Sequence, residues 1–176
     1  SIGISLAFIG IVLMSAGGKT DSLFFSDLYA SAAHFPRIIA SVAFAFLVVG
    51  FGTKMGLAPM HNWLPDAHAE APAPVSALLS ATLLNAAFIG ILRMKKFADS
   101  AGLERYAAMM LLVMGFFSLF VSAVFVLRTR NYKRMLAYSS IEHMGILVIA
   151  LATGGGALIA MFLHVIGHSL AKASYF

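Results

Sequence analysis

The sequence predicts an all-α integral membrane protein, and three observations carry that prediction. Of 176 residues, 61% are hydrophobic and only 11% are charged, against about 45–50% and 25% in soluble globular domains. The mean hydropathy is +0.93. The apolar residues also fall in continuous runs of roughly the 20 residues needed to cross a bilayer core, without the polar/apolar alternation of a membrane β-barrel. So little charge cannot clothe a surface that meets water on every side, which excludes a soluble enzyme and a disordered tail. The net charge of +5 does not argue for nucleic acid, because the cations are scattered among short connections. With no cysteine, disulfides, iron–sulfur clusters and thiolate metal sites are excluded together.

On the bilayer ruler the chain divides into about six transmembrane segments. The first, 2–16, is short, and no basic residues precede it as they would in a signal peptide. Segment 38–60 is long but interrupted by glycines and by Pro59. Segments 75–92, 107–127 and 135–153 are continuous, and 157–176 follows three consecutive glycines. The connections are 17–37, 61–74, 93–106, 128–134 and 154–156. A chain that starts at Ser1 in one apolar run and stops at Phe176 in another reads as an internal fragment, 1–176, of one larger membrane domain. Orientation stays open. One set of alternate loops carries Lys19, Arg37, Arg93, Lys95, Lys96 and Arg105. The other carries Arg128, Arg130, Lys133 and Arg134, and six cations against four do not settle a positive-inside argument.

A charged group in a membrane helix costs at least ~2.5–3.5 kcal/mol, so one that persists is a functional candidate. Lys54, Glu142, His143, His164, His168 and Lys172 lie in or near the ends of the apolar runs. The plainer reading of each is a snorkelling or hydrogen-bonded residue at a helix end; for Glu142 and His143, close to the 128–134 cations, the two readings balance. Lys54 is flanked by Gly50, Gly52 and Gly56 and followed by Pro59, a pattern that predicts a helix broken around Lys54 to Pro59, with freed carbonyls and water beside the lysine. A buried lysine loads and unloads a proton readily. His164, His168 and Lys172 recur every four residues and so share one helix face, about 6 Å apart along the axis. At that spacing a water bridges neighbours, and the stripe reads as a proton relay; the alternatives are a structural stripe and a zinc site. In the 61–74 loop, His61, His68, Asp66 and Glu70 have ligand chemistry, but Trp63 and the prolines 65, 72 and 74 favour an interfacial turn.

Three motifs carry a family resemblance. The segment from Lys54 to Pro74, with Pro-Met-His-Asn-Trp-Leu-Pro-Asp-Ala-His at its core, is the first. The others are Arg-Asn-Tyr-Lys-Arg-Met-Leu-Ala-Tyr-Ser-Ser-Ile-Glu-His-Met-Gly (130–145) and Phe-Leu-His-Val-Ile-Gly-His-Ser-Leu-Ala-Lys-Ala (162–173). Together they resemble the antiporter-like membrane subunits of respiratory complex I (NADH:quinone oxidoreductase), of multisubunit Na+/H+ antiporters and of energy-converting NiFe hydrogenases. Within that family the Ser-Ser-Ile-Glu-His-Met-Gly form is most similar to hydrogenase-4 and formate-hydrogenlyase-type subunits. The resemblance implies a fourteen-helix bundle in which this chain supplies helices six to eleven. Lys54 is then the central lysine of a broken helix, and His164, His168 and Lys172 lie on a hydrated axis. It also implies that loops 61–74 and 128–134 both face the cytoplasm, and it places the acidic partner of Lys54 outside the chain. Relatives often carry a lysine where this chain has Asn85, and sometimes a histidine where it has Ser80. Neither residue holds a protonic charge; each orients water at most.

The expected function is that of a proton-translocating subunit of a redox-driven complex, hydrogenase-4-like first and complex I-like second. Its sites are Lys54, His164, His168 and Lys172 for proton transfer, with Glu142, His143 and Asn85 in support. Rival readings are a stand-alone Na+/H+ exchanger and a non-conducting scaffold descended from a pump. The expectation includes no cofactor, no bound metal and no nucleic acid. The expected partners are membrane subunits, the hydrophilic redox arm of the complex and the lipid bilayer, in a prokaryotic inner membrane.

Overall fold

A computed structural model describes residues 2–18 and 24–176; Lys19 lies outside the described residues. Of the described residues 86% are helical, and among them there is no strand. It forms α1 (Ile2–Gly18), α2 (Phe25–Ser31), a 3-10 turn (Ala32–His34), α3 (Arg37–Met55), α4 (Trp63–Glu70), α5 (Ala73–Leu78), a π-helical turn (Leu79–Leu83), α6 (Leu84–Ser100), α7 (Glu104–Val126), α8 (Tyr132–Thr153) and α9 (Ala157–Tyr175). Among the described residues five stretches are long and apolar enough to cross a membrane, with α5, the π turn and α6 joined as one of them; α1 is apolar but shorter, at 17 residues.

Small residues let the helices come close where burial alone would not bring them. A Cβ on Gly50 of α3 would lie 2.6 Å from the backbone nitrogen of Ala7 in α1, so these two helices meet backbone to backbone, as small-residue contacts in membranes allow. The core beyond them joins Phe44, Leu47 and Val48 of α3, Phe88 and Ile91 of α6, and Met144, Leu147 and Val148 of α8. Val113, Phe116 and Phe120 of α7 and Leu163, Ile166 and Leu170 of α9 are exposed. With lipid as the surrounding solvent an apolar exterior carries no penalty.

Several sequence-based boundaries need correction. Helix α3 stops at Met55 rather than running to residue 60, and Gly56, not Pro59, stops it. Gly56 has φ 77°, the left-handed conformation that ends many helices. The amide of Leu57 then donates back to the Gly52 carbonyl at 2.9 Å. The 61–74 stretch is not a plain turn. Pro65 sits in the first turn of α4, where a missing N–H costs nothing, and Pro72 and Pro74 open α5. The 93–106 connection is helical as far as Ser100, because Met94, Phe97 and Ala98 are buried and Lys95 pairs with Asp99 one turn on. Within 17–37, α2 and the 3-10 turn replace open loop. The Gly154 to Gly156 connection stands as expected and folds α9 back on α8.

Candidate functional site

The stripe expected on α9 forms. His168 and Lys172 are nearly inaccessible, at 4% and 3% exposure, and His164 is half-buried. Opposite them α8 presents Leu136, Ser139 and His143, spaced three and four residues apart and therefore on one face. The two faces enclose a cavity of about 230 Å³ that also touches Gly167 and Ala171. His143 Nδ1 stands 3.0 Å from His164 Nε2, and its ring centre lies 5.1 Å from that of His168. Lys172 Nζ donates to the Leu136 carbonyl at 3.0 Å. The order in space is thus His164, His143, His168, Lys172, with the rung contributed by α8 lying between two members of α9. His143 stands between His164 and His168 but hydrogen-bonds only to His164 among the described residues, and it lies in the middle of α8 rather than at a helix end. One imidazole nitrogen of the 3.0 Å pair donates and the other accepts, so a proton can cross between helices there.

A second polar layer adjoins this one. The π turn at Leu79–Leu83 brings Ser80 within 2.9 Å of Ser140 on α8, both fully buried. Asn85 Nδ2 donates to Ser169 Oγ at 2.6 Å and to the Ala81 carbonyl at 2.8 Å, and Ser169 in turn donates to Val165 at 2.8 Å. Asn85 therefore ties α6 to the residue next to His168, while its Oδ1 is buried with no partner among the described residues. Ser80 is a residue that the sequence marks as able to orient water, whereas the serines at 139, 140 and 169 carry no role in the sequence reading. The signal for one of them was present: Ser139 lies four residues before His143.

The other expected residues are elsewhere. Lys54 is half-buried on the last turn of α3, does not line the cavity, and has no hydrogen bond or ion pair among the described residues. The carbonyls expected to be free around it are occupied: that of Thr53 accepts from Trp63 Nε1 at 2.6 Å, and that of Gly52 from Leu57. Glu142 is exposed and does not line the cavity. His61 and His68 are buried. His68 stacks on Phe176 at 4.6 Å between centres. Burial, reinforced by the positive charges of Lys172 and Lys133, pushes its imidazole down to about 4. Among the described residues no three His, Asp or Glu side chains are grouped to hold a metal. Loops 61–74 and 128–134 lie at one end of the bundle, since Lys133 donates to the Ala71 carbonyl at 2.7 Å and Arg134 pairs with Asp66 at 2.8 Å.

Comparison with known proteins extends these observations. The family model described as NADH:quinone oxidoreductase/Mrp antiporter, transmembrane, matches residues 1–176. The chain is 40% identical to the hydrogenase-4 component F homolog of Methylacidiphilum infernorum, over 99% of this chain and 38% of that protein. It is 35% identical to an NAD(P)H-quinone oxidoreductase chain 4 of Synechococcus sp., over 89% of this chain and 30% of that protein. Among solved structures it superposes on the archaeal membrane-bound sulfane sulfur reductase with a TM-score of 0.87 at 25% identity, covering 98% of this chain and 35% of that one. For respiratory complex I of Thermus thermophilus the TM-score is 0.73 at 29% identity, covering 96% and 36%. The chain thus spans about a third of the length of the relatives it matches.

Proposed function

This chain belongs to the NADH:quinone oxidoreductase/Mrp antiporter transmembrane family, a family of multi-pass integral membrane proteins, and on that premise we propose that it carries part of the proton path of an antiporter-like subunit in a redox-driven complex of the hydrogenase-4 type. The observation that carries the proposal is the cross-helix cluster: His164, His143, His168 and Lys172 line one cavity, and two of the imidazoles stand in hydrogen-bond contact at 3.0 Å. Four titratable groups in succession in an apolar bundle cost too much to serve packing alone. In this reading Lys54 loads a proton at the end of α3. Asn85 and Ser169 keep the layer between α6 and α9 polar, and the cluster passes the proton on. The chain contributes no redox group. Partner membrane subunits and a hydrophilic redox arm supply the driving reaction, and the subunit resides in a prokaryotic inner membrane.

The test is proton uptake driven by the redox reaction in membrane vesicles, normalised to assembled complex. A His168→Ala complex that assembles but pumps at a tenth of the wild-type rate or less supports the proposal. Undiminished pumping per complex rejects it in favour of a scaffold. Sodium-dependent proton exchange without any redox substrate would favour the exchanger instead.

A further inference from the structure

Away from the histidine cluster, a cavity of about 630 Å³ opens where α7 gives way to α8, lined by Arg128, Arg130 and Arg134, by Glu70, and by Phe125 and Tyr138. The two aromatic rings stack at 5.3 Å and 10° and form one wall. Asp66 holds the Arg134 guanidinium at 2.8 Å. Arg128 and Arg130 are exposed and have no ion pair among the described residues. With Lys133 close by on the Ala71 carbonyl, four cations face two carboxylates, those of Asp66 and Glu70. The place is a membrane boundary: α7 and α8 are both long and apolar enough to span, and the cavity sits at their junction. Next to it Leu127 is 88% exposed, and Phe125, Val124 and Phe120 continue an exposed apolar face along α7.

We propose that this cavity seats the phosphate headgroup of an anionic phospholipid. Planar guanidinium forks match phosphate oxygens, and the excess of cations attracts a negative headgroup at the bilayer surface. The apolar face that runs down α7 from the cavity accommodates an acyl chain. A free phosphate ion would leave that face unused, and an acidic peptide would have to bury Leu127 and Phe125 against polar backbone. The site is separate from the proton path, so its failure and the failure of the proposed function are distinguishable.

The test uses the complete subunit in its complex, reconstituted in nanodiscs of phosphatidylcholine with a minor fraction of phosphatidylglycerol, with mass spectrometry of the lipid retained after delipidation. Phosphatidylglycerol should be enriched over phosphatidylcholine. Arg128→Gln or Arg130→Gln should each lower that enrichment about fivefold, and the double variant about twentyfold, as expected for the loss of one or two surface cations. The Arg128→Lys/Arg130→Lys pair should keep most of it. Equal enrichment in wild type and the double Gln variant would overturn the proposal. So would displacement of the lipid by millimolar inorganic phosphate, or a double variant that loses a neighbouring subunit while its lipid is unchanged.

Discussion

His143 and His164 reach each other at 3.0 Å from two different helices, and that contact sets an α8 imidazole between His164 and His168, whose own ring nitrogens are buried with no hydrogen-bond partner among the described residues. His143 is the rung between His164 and His168, so His143→Ala leaves those two a full helical turn apart, about 6 Å along the axis. Proton uptake per assembled complex should fall at least tenfold in His143→Ala, as in His168→Ala. The double variant should lose little more than either single one, because serial steps in one path are not additive; losses that multiply would contradict a single path. At Asn85 the expected effect has a different origin. Asn85→Leu removes the bond to Ser169 and dries the layer beside His168, so pumping should slow while assembly persists. Unchanged pumping in that variant would show that the Asn85 layer carries nothing. His68 lies outside the spans and gives a pH signature. Its folded-state value of about 4 is below the usual 6.5, so the unfolded chain takes up the proton first. Stability of the solubilised complex should therefore decline as pH falls from about 6.5 towards 4 and level off below that. His68→Gln, which cannot titrate, should flatten that limb of the thermal-melt profile.

The helices owe their packing to a few close approaches. Gly50→Ala would set a methyl 2.6 Å from the Ala7 nitrogen and 2.7 Å from the Gly3 carbonyl, both backbone atoms that cannot step aside without moving α1. The expected cost is about 1–3 kcal/mol, as for other over-packed contacts, seen as a lower melting temperature of the purified complex. A melting temperature equal to wild type would show that α1 yields freely. The same scale explains why the end of α3 differs from its sequence reading. The glycines and the proline predict a helix broken around Lys54 to Pro59, and the break falls at Gly56, whose left-handed conformation ends the helix and whose cap satisfies the last carbonyls. The proline then lies in the link to α4, outside any helix. The π turn had no sequence signal at all: Ser80, inside that turn, meets Ser140 of α8 at 2.9 Å, in a turn whose wider winding shifts the register of the side chains that follow.

For the whole molecule, the proposed site is in two parts. Lys54 stands at the end of α3, and the cluster lies between α8 and α9, with the Asn85 contact on the α6 side of it. If Lys54 loads the proton, Lys54→Met should abolish redox-driven uptake while the complex still assembles. Lys54→Arg should fail as well, since guanidinium does not give up its proton. Uptake at the wild-type rate in either variant would remove Lys54 from the path. Residue type and periodicity made much of this legible in advance. Apolar runs gave the spans, since a bilayer demands that length of any helix. The four-residue spacing of His164, His168 and Lys172 gave one face, since the α-helical backbone fixes that relation locally. The pairing of His143 with His164, the tie from Asn85 to Ser169, and the stack of Phe125 on Tyr138 beside the arginines were not legible. Each joins residues on separate elements, and their distances depend on how helices cross and how closely glycines let them approach. Local backbone geometry sets which side chains share a helix face, whereas only packing in three dimensions decides which faces meet.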